Sequence, residues 1–153
     1  MAVTIDGVGE INGVVLPTTS FGKVLQVVRA TDTTSRSTSS TSYVDANISV
    51  TITPQKSTSA VLLLWSLSAD TPSNIIFSLA ITDSSNNIVS GGEGGELFPQ
   101  SSRLIIRQTI IAYATPATTS TVTFKGRFKV NTSTASIKNA DVTGQLYAIE
   151  VSA

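Results

Sequence analysis

The sequence predicts an all-β domain: a jelly-roll-like antiparallel β-sandwich of about eight strands with an extended N-terminal arm. First, every even position from 44 to 52 is apolar, and polar residues lie between them. Second, the same alternation recurs from 122 to 130. An alternation with a period of two places one face of a strand in the core and the other in water. Third, no stretch has the 3.6-residue period of an amphipathic helix.

One domain, preceded by an arm, is predicted along the chain. Residues 1–22 are interpreted as an N-terminal docking arm or linker, because glycines interrupt them and no alternation is sustained. The β-sandwich head domain covers 23–153. Its strands are predicted at about 23–30, 42–53, 60–69, 74–83, 86–90, 103–113, 120–130, 134–139 and 145–152. Turn-forming residues such as Pro54, Pro72 and Pro116 separate these strands.

Two segments of low complexity are predicted to be flexible surface loops. Residues 31–41 are rich in Ser and Thr, and residues 91–96 consist of four glycines and two glutamates. Such compositions are typical of exposed connections. The alternative hypothesis is that one or both are contact loops that become ordered on a partner.

Three predicted strands are apolar on both faces, over 61–65, 75–77 and 104–106. A two-layer sandwich buries one face of each sheet, so the second face needs another cover. We favour a partner subunit in a homotrimer, since contiguous exposed apolar surface is rare on monomers. The alternative is cover by the long loops and the arm of the same chain. The candidate subunit-interface residues are Leu62, Leu64, Ile76 and Ile105.

Composition limits the class of partner. The formal net charge is zero, which favours neither nucleic acid nor an anionic membrane as a partner. Ser and Thr make up 44 of the 153 residues, whereas charged residues are only 13%. An uncharged polar surface suits proteins exposed on a particle or outside a cell.

The chain begins without the features of a signal peptide, and no apolar run reaches the ~18 residues of a membrane span. Release by lysis would explain an extracellular role.

Catalysis finds little support in the sequence. The chain contains no Cys and no His, which excludes disulfides, Cys-His and Ser-His-Asp arrangements and the commonest metal ligand. A glycosidase needs only two carboxylates, but all ten acidic residues except Glu150 are predicted in the arm, in loops or on wet strand faces. We therefore predict no catalytic residue, no metal site and no cofactor. The aromatic residues Trp65, Phe77, Phe124 and Phe128 are predicted to pack in the core rather than to stack on carbohydrate.

Several segments, taken together and in order, resemble a family of virion proteins of tailed bacteriophages, especially those of cyanobacteria and marine bacteria. They are 22–28 (GKVLQVV), 39–45 (SSTSYVD), 49–54 (SVTITP), 59–64 (SAVLLL), 115–125 (TPATTSTVTFK) and 148–151 (AIEV). The family occurs in tail-fibre-like and other accessory structural proteins. The resemblance implies a trimeric jelly-roll head without a catalytic motif. It covers about residues 22–153 and identifies a module rather than a role.

Two roles follow as hypotheses. The first is a non-enzymatic head decoration protein, assembled in the host cytoplasm and carried on the virion. Its arm would bind a phage capsid or tail protein. The candidate docking residues are Val3, Ile5, Val8, Ile11, Val14, Val15 and Leu16. Only 22 residues precede the module, which favours a short docked protein. The second hypothesis is a tail-fibre tip whose segments 31–41 and 91–96 contact a host surface glycan. A polysaccharide-degrading enzyme is a weaker third alternative.

Overall fold

The computed structural model describes residues 22–99 and 101–152. Every secondary-structure element assigned in this part of the chain is a β-strand. They are β1 (Val24–Asp32), β2 (Arg36–Thr38), β3 (Val44–Ile52), β4 (Ala60–Thr71), β5 (Phe77–Asp83), β6 (Ile88–Leu97), β7 (Leu104–Ala114), β8 (Val122–Val130), β9 (Ala135–Ile137) and β10 (Gly144–Val151). The predicted all-β class is confirmed.

The eight long strands form two antiparallel four-stranded layers. One layer has the order β1-β10-β4-β7, and the short strands β9 and β2 extend this sheet beyond the end of β10. The second layer is a four-stranded sheet with the order β3-β8-β5-β6. Consecutive strands alternate between the layers along much of the chain, and this strand order is that of a jelly roll. The predicted jelly-roll sandwich is therefore confirmed.

The core lies between the two sheets and follows the alternation in the sequence. On β3 the even-numbered residues Ala46 to Ile52 are buried, and the odd-numbered residues between them are exposed. The four predicted core aromatics are all buried: Trp65, Phe77, Phe124 and Phe128. The rings of Phe77 and Phe128 meet edge to face, with centroids 5.9 Å apart and planes at 82°. Such a pair adds to the stability that burial itself supplies.

The loop predicted at 31–41 is wrong in part, and the loop predicted at 91–96 is wrong throughout. Strand β1 continues through Asp32, and β2 lies within 31–41, whereas 91–96 belongs entirely to β6. Glycine is unfavourable in strands, but here it allows a close approach of backbones. A Cβ atom at Gly92 would lie 2.8 Å from the carbonyl oxygens of Ile81 and Val89. Close contact with neighbouring backbone therefore accounts for the glycine at position 92.

The predicted arm, 1–22, lies outside the described residues except for Gly22, and so do all seven candidate docking residues. The division into an arm, 1–22, and a head domain, 23–153, stays a prediction. Within the described ranges, no helix is long and apolar enough to cross a membrane.

Candidate functional site

The outer face of the six-stranded sheet carries two adjacent rows of mainly apolar side chains, which we call the apolar face. Cross-strand pairing aligns each row across four strands, β1, β10, β4 and β7. The first row is Val27, Ile149, Leu62 and Tyr113. The second row is Arg29, Tyr147, Leu64 and Ile111. With strands about 4.8 Å apart, each row extends over three strand spacings.

The apolar face points away from the core, because the residues that alternate with it are the buried ones. Val61, Leu63 and Trp65 on β4 are fully buried, and Leu62 and Leu64 between them are half-buried. The flanks of the face are more open: Val27 is 56% exposed, Ile111 55% and Tyr113 53%. Large apolar side chains therefore remain in solvent on a face that no described loop covers.

The second row contains one charged residue, Arg29, which is integrated into the apolar surface. Its guanidinium carbon lies 5.8 Å from the centroid of the Tyr147 ring, a distance at which a cation and an aromatic face attract. The Tyr147 hydroxyl donates a 2.6 Å hydrogen bond to Oε1 of Gln145. Both contacts fix the orientation of the Tyr147 ring, so this part of the face is held in one conformation.

The structure brings together two of the four predicted interface residues. Leu62 and Leu64 lie at the centre of the apolar face. Ile105 lies on the outer side of β7 opposite Asp70, about 27 Å along the strand from Tyr113. Ile76 lies in no strand, immediately before β5 of the four-stranded sheet. Whether these four residues contact a second subunit stays a prediction.

Sequence reasoning missed the residues that surround Leu62 and Leu64. These are Val27 on β1, Tyr147 and Ile149 on β10, and Ile111 and Tyr113 on β7. Each lies in a strand that the sequence predicts, yet the alignment into rows depends on which strands pair and in which register. An alternating strand pattern carries no information on its neighbour, so only the three-dimensional pairing could identify the face.

The outer face of the four-stranded sheet has the opposite character. Strand β3 exposes Asp45, Asn47, Ser49 and Thr51, and β8 presents Thr123, Lys125, Arg127 and Lys129 on the same side. Thr51 and Thr123 share a 2.9 Å hydrogen bond between their hydroxyls. The sandwich therefore has one apolar and one polar outer face, which gives it a defined side for association.

Two acidic residues predicted to be solvated are in fact largely buried. The Asp70 carboxylate accepts hydrogen bonds from Nε of Arg103 at 2.6 Å and from its Nη2 at 2.5 Å, and Lys138 Nζ lies 3.8 Å away. The hydrogen bond from Arg103 holds the pKa of Asp70 below its ordinary value, although burial opposes it. Asp32 pairs with Arg36 and accepts a 2.8 Å hydrogen bond from Nδ2 of Asn139. Both carboxylates are occupied structurally, which leaves them unsuited to acid–base catalysis.

Glu150, the acid predicted to differ from the others, is fully buried. Its carboxylate accepts hydrogen bonds from Nε2 of Gln26 at 2.5 Å and from the backbone amide of Gln55 at 2.8 Å. Burial alone would raise the pKa of Glu150, but these hydrogen bonds and that of the Lys56 amide lower it below the ordinary value. The ionised carboxylate ties the segment after β3 to β1 and β10, a structural role.

The distribution of acidic side chains and the turn at 83–87 bear on metal binding. In the chain between Gly22 and Ser152, without residue 100, no three His, Cys, Asp or Glu side chains cluster in a way that could hold a metal ion. The turn at 83–87 closes on itself, since Asp83 accepts hydrogen bonds from the Asn87 amide at 2.9 Å and from its side chain at 3.0 Å. The Asp83 carboxylate is therefore hydrogen-bonded within the turn itself.

No family model and no curated protein sequence matches the chain. Solved structures similar to it include a mutant VP2 protein of infectious bursal disease virus from derived T=1 particles, with a TM-score of 0.43 and 11% identity. The match covers 98% of this chain and 40% of the length of that chain. Another is a structure described as a CBM4, with a TM-score of 0.25 and 15% identity, covering 82% of this chain and 92% of the other. The resemblance to phage virion proteins stays a prediction.

Proposed function

We propose that the protein is a non-enzymatic structural component of a bacteriophage virion, a homotrimer that decorates the phage head. The apolar face is the observation that carries this proposal. A rigid sheet surface with Ile111 and Tyr113 more than half exposed requires a partner surface, because burying apolar area is the main favourable term in association. A second copy of the chain is the simplest partner at zero net charge.

A trimer suits the particle for a geometric reason. Icosahedral shells offer local threefold positions, and a trimer with closed symmetry matches them without exposing an unpaired interface. In this arrangement the apolar faces of the three subunits are buried against neighbours and the polar faces of the four-stranded sheets remain in solvent. The Ser- and Thr-rich composition supports such exposure.

The N-terminal segment supplies attachment in this proposal. Residues 1–22 bind a capsid or tail protein through Val3, Ile5, Val8, Ile11, Val14, Val15 and Leu16. An extended segment can add backbone hydrogen bonds to an exposed sheet edge and place alternate side chains in small pockets. The protein is assembled in the host cytoplasm and leaves with the virion on lysis.

A tail-fibre tip remains the second candidate, and the open polar face of the four-stranded sheet favours it as a surface for recognising a host. Electron microscopy of virions labelled with antibody against this chain separates the two roles. Label over the head supports decoration, whereas label confined to the tail supports a fibre. Absence of label from both would contradict a virion role.

A further inference from the structure

The outer face of the four-stranded sheet contains an open groove of about 480 Å³. Its lining includes Tyr43 and Lys129 on one side, Glu93 and Glu96 on the other, and Ser78 on β5 between them. The volume lies within the ~300–1,000 Å³ typical of ligand sites. This groove lies on the opposite side of the sandwich from the apolar face.

A β-bulge places both glutamates on the same wall of the groove. Residues three apart in a regular strand point to opposite faces. Here Phe77 pairs with Leu97 and Leu79 pairs with Gly94, so two residues of β6 lie opposite the single residue Ser78. Glu93 lies on the outer face of the sheet, opposite Ala80. Because of the extra residue, Glu96 lies on this outer face as well. The glycines that suggested a loop therefore accompany a bulge that aims two carboxylates at one site.

Ser78 on β5 lies at the floor of the groove, between its two walls. Ser78 is 4% exposed, although it lies on the outer side of the sheet, because longer side chains of β8 and β6 rise on either side of it. Lys129 on β8 pairs with Ser78 on β5, and the Nζ atom of Lys129 lies 4.6 Å from the centroid of the Tyr43 ring. This contact fixes the ring and the ammonium together as one wall.

The carboxylates of the opposite wall are available to a ligand. All ion pairs of the described residues involve Asp32 or Asp70, so neither Glu93 nor Glu96 is paired there. Both glutamates are exposed. Burial, and then the negative charges of Glu93 and Glu96, raise the pKa of Tyr43, which lines the same groove as both glutamates. The groove thus combines acceptors, an ammonium donor, a hydroxyl and an aromatic ring.

We propose that this groove binds an oligosaccharide that is uncharged or carries amino groups. Sugar rings present adjacent hydroxyls that donate to carboxylates and accept from an ammonium, and their C–H faces pack on aromatic rings. Two carboxylates against one ammonium exclude polyanionic sugars by repulsion. The inference goes beyond the structural role proposed above and does not depend on it, since the apolar face lies on the other sheet.

Calorimetric titration of the full-length protein with three hexasaccharides tests the proposal: a β-1,4-glucan, a chitosan and an alginate. We expect the glucan or the chitosan to bind and the polyanionic alginate not to bind. The double variant Glu93→Gln/Glu96→Gln should weaken binding by about tenfold or more, because a neutral amide cannot form the charge-assisted hydrogen bonds that a carboxylate accepts. Asp141→Asn, an exposed acid outside the groove, is the matched control and should bind normally.

Thermal melting is used to check that the variants remain folded, and light scattering is used to check that their assembly state is unchanged. The proposal is overturned if neither the glucan nor the chitosan binds at millimolar concentration, if the alginate binds most tightly, or if the double variant binds as the wild type does. Loss of binding in Asp141→Asn would equally contradict it. None of these results bears on the apolar face, so the two proposals fail separately.

Discussion

Gly126 on β8 lies directly against the indole ring of Trp65. A Cβ atom at position 126 would come 2.7 Å from two ring carbons of Trp65 and 2.9 Å from Cγ2 of Ile48. Trp65 is fully buried, so the ring cannot move away without disturbing the core. The two sheets therefore approach one another at this point more closely than any side chain on residue 126 would allow.

We expect Gly126→Ala to lower the free energy of unfolding by about 1–3 kcal/mol, because overpacking forces the indole or the backbone to shift. Gly94→Ala is the matched control, since a Cβ there meets nothing within 4 Å. Thermal melts of both variants check this. Equal melting temperatures for the two would show that the sheets can separate at Trp65 without loss of stability.

Phe124→Asp should prevent folding, whereas Lys125→Asp should have a small effect. Phe124 is 4% exposed, and an unpaired carboxylate at this position would destabilise the protein by several kcal/mol, comparable with the whole stability of a domain. Lys125 lies on the polar face, where the substitution removes a 3.0 Å hydrogen bond to Oδ1 of Asn86 and a favourable charge near Asp83, both at the surface. Expression level and circular dichroism of the two variants provide the comparison, and equal effects would refute the register of β8.

Stability should fall at acid pH in a way that depends on Glu150. The pKa of this group is lowered in the folded state, so its ionised form stabilises the protein above the ordinary value of 4.5. That contribution is lost as the pH falls below 4.5 towards the folded-state value. Melting temperatures between pH 7 and pH 2 should therefore decline mainly below about pH 4.5.

Glu150→Gln provides the test of this assignment. Its amide keeps one acceptor oxygen, but its NH2 group must face either Nε2 of Gln26 or the backbone N–H of Gln55, so we expect a loss of about 1–3 kcal/mol at pH 7. The variant should also show a shallower decline in acid. A variant as stable as the wild type at pH 7, with the same acid profile, would show that Glu150 is not ionised in the fold.

The parts of the fold that the sequence predicts are those that depend on local pattern. Strands β3 and β8 alternate so regularly that both their extent and their buried residues follow from the sequence. The extent of β6 does not follow from the sequence, because glycine disfavours a strand locally. Its pairing with β5 and the close backbone contacts at Gly92 are visible only in the structure. β2 is three residues long and depends on its pairing with β9, so no local pattern predicts it.

The functional surfaces are less predictable than the strands. Leu62 and Leu64 could be identified because β4 is apolar on both faces. Tyr113 and Ile149 could not be placed beside Leu62, because cross-strand register arises from contacts between residues distant in sequence. The groove between Tyr43 and Glu96 depends in addition on a bulge, which shifts the phase of one strand by a single residue.

Deleting residues 1–20 should leave a folded, trimeric head that no longer binds the virion. The buried core residues of the described sandwich lie between Ala46 and Ala148, and β1 begins at Val24. The truncated protein is purified, its mass and melting temperature are compared with those of the full chain, and it is added to particles lacking the protein. Retained binding would place attachment on the head domain, and loss of the trimer would assign residues 1–20 to the subunit interface.

The mass of the purified protein in solution, measured by light scattering at micromolar concentration, tests the central claim most directly. The apolar face predicts about three times the 16.0 kDa of one chain for the wild type. Ile111→Asp/Tyr113→Asp, two changes at residues more than half exposed, should give a folded protein of single-chain mass. Ser49→Asp on the polar face is the control and should remain trimeric. A soluble wild-type monomer, or a trimer that survives both substitutions on the apolar face, would contradict the account.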